Sequence, residues 1–507
     1  MEFDRTTNLS STNTLSPPPP ITSPTTTTAT MMLKSPELPD LVYVNPPVLI
    51  RPANPTPKHS IYLSNLDDQS FLRFSIKYVF VFQKGVSLCK LKRSLAIALE
   101  NYYPLAGRLR VSGGGPSSEF DRKLEVECNG EGAVFVEGFM DFTAEEFLQT
   151  ADTPNRSWRK LLHRYEASSF LDIPPLIVQV TNLSCGGMIL CTGINHCLSD
   201  GVGTSQFLHA WAHITTKPNL PLPIKPFHFR HVFKPRNPLH VTSPHPQYSK
   251  TTPSNTVHNN NNNNNNNLLN LLRSLPLRPV SVPFSAAQIL RLKRRCIPSL
   301  KCTTFEALAA HTWQCWLHSL TLATVVPLPP SLPVNLLFSV NVRRRLLLHE
   351  PPSGYYGNAF VLACAQSSVK ELNAAATSAN IHHGVTLVQQ AKAAVTDEYV
   401  RSVVDMLDDR SVRTDMSASL VISQWSKLGL EDLDFGEGKA VHMGPLASDI
   451  YCLFLPVAGD VNAVRVLVSV PECVAHKFEV YMKDCCYSDD EDEDRINNDN
   501  GEQNSFI

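Results

Sequence analysis

Residues 186–213 of this chain read GGMILCTGINHCLSDGVGTSQFLHAWAH and give the clearest indication of its architecture. Residues 186–195 are almost wholly apolar and predict a buried strand, whereas residues 204–213 repeat apolar side chains at a helical spacing. Between these two elements stand His196 and, four residues later, Asp200. A neutral histidine at such a junction can accept a proton near pH 7, because its unperturbed pKa is about 6.5.

This pair by itself is open to two other interpretations. His196 and Asp200 at this spacing also suit a hydrogen-bonded structural pair. They could instead begin a metal site, although no further ligand stands at a recognisable spacing. The glycine that follows, Gly201, allows a close backbone turn beside the imidazole.

Strands and helices alternate on both sides of this segment. In residues 74–82 (FSIKYVFVF) the large apolar side chains alternate on one face, which predicts a strand. Residues 87–103 carry an apolar stripe at helical spacing and predict a helix. Because strands mix with helices in both halves, we predict an α/β or α+β protein. The other predicted elements are a helix at 304–317 and strands at 176–183, 336–342, 449–455 and 463–470.

The chain has 507 residues, which is too many for one ordinary core. We therefore predict two lobes, 41–216 and 271–487. The crossover between them, 217–270, is rich in proline at first and ends in a run of asparagines, so we predict a long disordered connection that carries a low-complexity insertion. The Ser/Thr/Pro-rich residues 1–40 and the acidic residues 488–507 are predicted to be disordered tails.

The composition argues against several classes of protein. The formal net charge is −1, so no overall field favours nucleic acid or an acidic membrane surface. No apolar run is long enough for a membrane span, and no signal peptide is recognisable. The thirteen cysteines show no framework spacing and mostly stand in apolar runs, as reduced thiols do. We expect a cytosolic enzyme or binding protein.

Three further features carry groups suited to chemistry. The segment Asp-Phe-Gly-Glu-Gly from Asp434 predicts a tight exposed turn, which by itself is only a loop. Lys293 belongs to a basic cluster at a predicted helix end, which is either a solvated face or a site for a ligand phosphate. Arg343 follows a predicted strand and could pair with a buried carboxylate through its fixed fork of donors.

Taken together, these motifs resemble the plant BAHD acyltransferases, which transfer acyl groups from coenzyme A thioesters. The family hallmark His-x-x-x-Asp-Gly is matched by His196, Asp200 and Gly201. The second hallmark, Asp-Phe-Gly-Trp-Gly, is matched from Asp434 except that Glu437 replaces tryptophan. The resemblance extends over 41–487 through LSNLDD at 63–68, YYPLAGRL at 102–109, TFEAL at 304–308, VNVRRR at 340–345, YGN at 356–358 and SQW at 423–425.

The resemblance implies a two-lobed chloramphenicol acetyltransferase-like fold with an active-site channel between the lobes. His196 is then the general base, and no covalent acyl-enzyme is implied. Asp200 is implied to turn away from the reaction and pair with Arg343, which fixes the loop geometry. The second motif, with Asp434, is implied to be structural.

Substrate contacts are also implied by the resemblance. Ser423 and Trp425 are candidates beside the reacting carbonyl, and Gly201 and Lys293 are candidates for binding substrate or coenzyme A. Acyl-CoA is expected as a co-substrate, with no permanently bound cofactor and no metal, in a monomeric protein. The acceptor is expected to be a hydroxyl, or an amine, of a hydroxy fatty acid, fatty alcohol or phenolic compound, with a lean toward the cuticle-lipid branch. The alternative is a non-catalytic family member that acts as a partner protein in cuticular lipid elongation, which Glu437 keeps open.

Overall fold

The computed structural model describes residues 37–113, 122–250, 268, 272, 274–322, 328–346, 351–377 and 380–484. These residues belong to one compact unit. The predicted N-terminal tail up to residue 36, the asparagine run and the acidic C-terminal tail lie outside the described residues. The cysteines in the described part are free thiols.

Helices and strands alternate along the described part of the chain. The α-helices are α1 (Leu88–Asn101), α2 (Ala144–Thr150), α3 (Gly201–Thr216), α4 (Ala286–Arg294), α5 (Thr304–Leu322), α6 (Val369–Thr377), α7 (His382–Ala394), α8 (Asp397–Met406) and α9 (Glu472–Asp484). The strands of the first half are β1 (Val42–Tyr43), β2 (Val48–Ile50), β3 (Ser60–Tyr62), β4 (Ser75–Phe82), β5 (Arg108–Val111), β6 (Leu124–Glu127), β7 (Ala133–Met140), β8 (Leu176–Leu183) and β9 (Met188–Asn195). Those of the second half are β10 (Tyr248–Lys250), β11 (Leu277–Phe284), β12 (Pro333–Asn341), β13 (Phe360–Ser368), β14 (Val412–Thr414), β15 (Ser419–Gln424), β16 (His442–Pro445), β17 (Cys452–Val457) and β18 (Asp460–Pro471).

Two large mixed sheets organise these elements. The first has the order β1-β7-β8-β9-β4-β16, with β2 also on β7, and its β7–β8 pair is parallel. The second has the order β11-β18-β17-β15-β12-β13, in which β15 runs parallel to both of its neighbours. Mixed sheets with helices packed on them confirm the predicted fold class.

Strand β16 links the two halves of the chain. It follows the second-half strands β12 to β15 in sequence, yet it pairs with β4 of the first sheet, with His442 opposite Val81 and Pro445 opposite Tyr78. The predicted second lobe thus contributes an edge strand to the sheet of the first. Residues 442–445 and 78–81, which are far apart in sequence, therefore lie side by side in the first sheet.

Strand β4 was predicted to bury one face, and the structure buries both. Tyr78 packs in the core formed with α1 and α3. On the opposite face, Val79 and Val81 pack in a separate core with Phe147 and Trp158. The second core exists because α2 and the 3-10 turn Arg156–Leu161 cover that face of the sheet.

Two segments that we predicted to be irregular are packed against the fold. Leu38, placed in the N-terminal tail, is 3% exposed, and its amide donates to Ser157 Oγ at 2.8 Å. In the crossover, Arg230 is 2% exposed, and β10 pairs with β14. Both segments are rich in proline and polar residues, so their composition predicts irregular structure. Composition does not show which single residues, such as Leu38 and Arg230, are buried against the fold.

Candidate active site

His196 lies directly after β9, where its main chain is held from two sides. Its amide donates to the carbonyl of Phe74 at 2.9 Å, and its carbonyl accepts from Asn358 Nδ2 at 2.7 Å. The imidazole lies edge-on to the ring of Phe74, with centroids 5.4 Å apart, and beside Phe360 at 6.0 Å. Since Phe74 is 44% exposed, the imidazole stands beside a solvent-facing rim.

The environment of His196 keeps its imidazole neutral. Among the residues that the structure describes, its buried Nδ1 has no hydrogen-bond partner, although the residue as a whole is partly exposed. Burial lowers the pKa of His196 below its ordinary value, while its own carbonyl, Asp200, Asn358 and Asp67 act in the opposite direction with less effect. A lowered histidine pKa leaves the ring unprotonated at pH 7, which is the form that can accept a proton.

The carboxylate of Asp200 is fully occupied by donors that lie away from the imidazole. Oδ1 caps α3 by accepting from the amide of Gly203 at 2.9 Å. Both oxygens meet Arg343 in a two-pronged ion pair, with Nη1 to Oδ2 and Nη2 to Oδ1 each at 2.9 Å. The amide of Ala359 donates to Oδ2 at 3.1 Å. The pair that the family resemblance implies between Asp200 and Arg343 is therefore present.

Asp67 and Asn358 form a link to His196 to which we had assigned no role. Asp67 is fully buried, and its Oδ1 accepts from the amide of Asn358 at 2.8 Å and from its Nδ2 at 3.0 Å. The same Nδ2 donates to the carbonyl of His196. Asp67 and Asn358 belong to the motifs LSNLDD and YGN, so the sequence marked both segments. It did not indicate that the two side chains meet.

Arg230 is a second buried group that sequence reasoning missed. Its Nη2 donates to the carbonyl of Leu198, inside the histidine motif, at 3.0 Å. Its guanidinium stacks 4.6 Å from the ring centroid of Tyr356 and 5.1 Å from that of Tyr355. Arg230 therefore ties the crossover to the loop that carries His196 and Asp200.

The amino-acid sequence matches one family model over nearly all of the described residues. The model is described as the Transferase family and covers residues 42–484. The chain is 32% identical over 446 residues to the fatty alcohol:caffeoyl-CoA acyltransferase of Arabidopsis thaliana, covering 86% of this chain and 96% of that protein. It is 30% identical over 452 residues to omega-hydroxypalmitate O-feruloyl transferase of the same plant, covering 86% and 92%.

The chain belongs to the BAHD acyltransferase family. Among solved structures it is similar to vinorine synthase, with a TM-score of 0.64, 18% identity, and coverage of 88% of this chain and 98% of that one. At that identity the likeness supports the fold. As a BAHD member, the chain is an acyl-CoA-dependent O-acyltransferase, as the sequence analysis predicts.

Ser423 and Trp425, our candidates beside the reacting carbonyl, lie where β15 ends. Ser423 is half-buried in that strand opposite Leu453 of β17. Trp425 is 7% exposed, and its indole contacts the ring of Tyr78 in a tilted arrangement, with centroids 4.7 Å apart. In the described part of the chain, the imidazole of His196 contacts the rings of Phe74 and Phe360. Trp425 does not make a ring contact with it there.

Gly201 and Lys293, our other substrate-binding candidates, occupy different parts of the fold. A Cβ on Gly201 would lie 2.7 Å from Leu428 Cδ1, so this glycine lets the first turn of α3 pack closely on the segment after β15. Lys293 is half-buried in the last turn of α4. The structure therefore gives Gly201 a packing role and does not bring Lys293 into contact with the His196 loop within the described residues.

The second family motif folds into a turn anchored on the first sheet. Asp434 Oδ1 accepts from the amides of Gly436 at 2.7 Å and Gly438 at 3.2 Å, and both glycines have φ above 100°. Phe435 is buried and packs edge-on against Trp211 at 4.9 Å. Glu437 is exposed, so the residue that departs from the family pattern faces solvent and leaves the anchored turn intact.

The metal-site interpretation finds no third ligand in the described part of the chain. No group of three or more His, Cys, Asp or Glu side chains is gathered there in a way that could hold a metal ion. Moreover, both Asp200 oxygens are already bonded to Arg343. None of the helices in the described ranges is long and apolar enough to cross a membrane.

The link from Asp67 through Asn358 predicts a positioning effect. Asn358→Ala is expected to lower kcat by about 10- to 100-fold, because it releases the carbonyl of His196 and lets the imidazole shift. KM is expected to change little. It is also expected to destabilise the fold by roughly 1–3 kcal/mol, since the buried Asp67 loses a donor. Steady-state kinetics and thermal unfolding check this.

The matched control for this prediction is Asn335→Ala. The half-buried side chain of Asn335 on β12 accepts a hydrogen bond from the exposed Gln366. We expect its kinetics and unfolding temperature to match those of the wild type. An Asn358→Ala enzyme with wild-type kcat would contradict the positioning role.

Proposed function

We propose that His196 is the general base for direct transfer of an acyl group from acyl-CoA to a hydroxyl acceptor. The observation that carries the proposal is a partly exposed imidazole whose main chain is held by Phe74 and Asn358. Burial lowers the pKa of this imidazole, which favours its neutral form. Since Asp200 is committed to Arg343, it serves the geometry of the loop and does not share the proton.

The proposed reaction needs one proton to move twice. With Nδ1 buried, Nε2 of His196 takes the proton of the acceptor hydroxyl as its oxygen attacks the thioester carbon. The carbon–sulfur bond of the tetrahedral intermediate then breaks, and the imidazolium returns the proton to the departing thiolate. The products are an ester and free coenzyme A. General-base assistance of this kind contributes about 10²–10⁴-fold.

Three further residues have roles in the proposal that depend on substrate being bound. Ser423 Oγ and the indole N–H of Trp425 are the candidate donors to the oxyanion of the intermediate. Lys293 is the candidate partner for a phosphate of coenzyme A. The channel that the family resemblance implies between the lobes would bring the two substrates to His196 from opposite sides.

For the substrates, we propose an aliphatic or aromatic alcohol as acceptor and an aromatic acyl-CoA as donor. The support is similarity to transferases whose names specify fatty alcohol and caffeoyl-CoA, and omega-hydroxypalmitate with a feruloyl group. The second of these names also supports the proposed link to cuticular lipids. We propose a cytosolic monomer, which size-exclusion chromatography and a fluorescent fusion in plant cells would test.

The test is release of free thiol by the purified full-length chain. Caffeoyl-CoA, feruloyl-CoA and acetyl-CoA are each offered with a fatty alcohol, an omega-hydroxy fatty acid and a phenolic acceptor. The proposal predicts thiol release that requires an acceptor, with a matching ester in the mass spectrum. If a folded protein releases no thiol with any pair, the non-catalytic partner protein becomes the better account.

The pH dependence follows from the lowered pKa of His196. Protonation removes the base, so kcat/KM is expected to fall on the acid side with a midpoint below the ordinary histidine value of about 6.5. The rate is expected to be flat from there through neutral pH. A profile measured from pH 5 to 8 checks this, and an acid limb centred above about 6.5 would show that the groups raising the pKa outweigh burial.

A further inference from the structure

A cavity of about 130 Å³ lies at the β16 edge of the first sheet, between α2 and the β17–β18 hairpin of the second sheet. Its walls come from the end of α2 and the turn that follows, from β16, and from the β17–β18 hairpin. The lining combines apolar residues such as Leu148, Met443 and Leu455 with the polar Asp152, His442 and Arg465. The volume is close to that of an engineered cavity of about 150 Å³ that binds benzene, and exceeds the space one water needs.

This cavity is separate from the His196 site. None of its lining residues contacts His196. His442 in the cavity wall pairs with Val81, whereas Ser75 at the other end of β4 pairs with Asn195, the neighbour of His196. Six residues of strand at about 3.4 Å each place His442 roughly 20 Å from that end of β4. Pro445, the lining residue nearest to it on β16, pairs with Tyr78, three residues or roughly 10 Å from Ser75.

Two buried nitrogen atoms in the cavity wall have no hydrogen-bond partner within the described ranges. They are Nε1 of Trp158, a residue 1% exposed, and Nε2 of His442. The two rings lie edge-on with centroids 6.1 Å apart. A Cβ on Gly444 would stand 3.1 Å from Nε2 of His442, so any side chain at that position would crowd this atom. Buried polar atoms normally have partners, so this pair points to a missing ligand group.

The cavity carries no net charge at neutral pH. Arg465 lines it and forms an ion pair with Asp152, whose side chain is 76% exposed at the rim. Burial, and next the charge of Arg465, lower the pKa of His442 to about 4, against the opposing effect of Asp152. A charged ligand would therefore lose its hydration without gaining an ion pair, so a neutral ligand fits best.

We infer that this cavity binds a small neutral molecule of about one ring, with a single hydroxyl group. The hydroxyl accepts from the N–H of Trp158 and donates to Nε2 of His442, while the ring packs against the apolar side chains of the wall. One hydroxyl supplies both the acceptor and the donor that the two nitrogens require. The site is additional to the transferase centre and does not depend on the proposed catalytic role of His196.

The test uses phenol and toluene as probes, which differ only by a hydroxyl in place of a methyl group. Both are titrated by calorimetry into the full-length His196→Ala protein, so that turnover is absent. Phenol is expected to bind at one site and toluene more weakly. Ala151→Leu, which fills the cavity, is expected to abolish phenol binding. Trp158→Phe, which keeps the ring but loses the donor, is expected to weaken it about fivefold.

The matched control is Trp211→Phe. Trp211 is also a buried indole, but its Nε1 already donates to Ser94 Oγ at 3.0 Å in the other core. Phenol affinity is expected to be unchanged in this variant. The inference would be overturned if folded Ala151→Leu and Trp158→Phe bound phenol as tightly as the protein without these substitutions. It would also be overturned if phenol did not bind at all, which would leave a cavity filled by water. Neither result bears on acyl transfer, which is measured separately.

Discussion

His196→Ala is expected to lower kcat/KM by about 10²–10⁴-fold while the fold remains intact. The loss follows because no other group in the described part that contacts this site can take its place as a neutral base. The folding free energy is expected to change little, since the ring is partly exposed and its main-chain hydrogen bonds to Phe74 and Asn358 do not need the side chain. Initial rates of thiol release, measured over substrate concentrations from below to above KM, check the catalytic half of this prediction. Circular dichroism checks that the fold is intact.

His213→Ala is the matched control for the histidine variant. His213 lies on α3 and is half-buried, and its Nε2 contacts the carbonyl of Pro221 at 3.1 Å. Its replacement is expected to leave the rate of thiol release at the wild-type level. A His196→Ala enzyme as active as this control would refute general-base catalysis by His196.

Asp200→Ala is expected to have the largest effect on stability, about 3–5 kcal/mol. It leaves the Arg343 guanidinium, which is 15% exposed, without its carboxylate. It also removes the cap of α3 at Gly203, which costs about 1 kcal/mol more. Activity is expected to fall as well, because the loop that carries His196 loses its anchor. Thermal and denaturant unfolding of the full-length protein measure the effect.

Two comparisons separate this ion pair from surface effects. Asp432→Ala removes an ion pair at the surface, in which the side chain of Asp432 is 59% exposed and that of Lys439 is 65% exposed. Its loss is expected to cost no more than about 1 kcal/mol. Asp200→Asn keeps an acceptor for the α3 cap but not the charge, so it is expected to fall between the wild type and Asp200→Ala. Equal unfolding temperatures for Asp200→Ala and Asp432→Ala would contradict the assigned role of Asp200.

The parts of the fold that local sequence could predict are those with strong local patterns. Strand β8 begins and ends where its apolar run does, at Leu176 and Leu183. Helix α3 begins three residues before the predicted start, at Gly201, because the Asp200 side chain caps it. The periodicity marks apolar faces, whereas the cap depends on a side-chain conformation that periodicity does not encode.

The partners within the site could not be predicted from local sequence. The motif resemblance supplied His196 and the Asp200–Arg343 pair, but gave no role to Asp67 or Asn358. Asp67 and Asn358 are 291 positions apart in the chain, and the contact arises only when the two halves pack. Arg230 was hidden for a different reason, because it stands in a proline-rich crossover that composition predicts to be irregular.

The pH profile of the residual rate of His196→Ala tests the general-base role most directly. In the wild type the acid limb of kcat/KM is expected to report protonation of this imidazole. The account predicts that the limb disappears in the variant, leaving a low rate that no longer falls on acidification between pH 8 and 5. An acid limb that persists with the wild-type midpoint would assign the titrating base to a different residue.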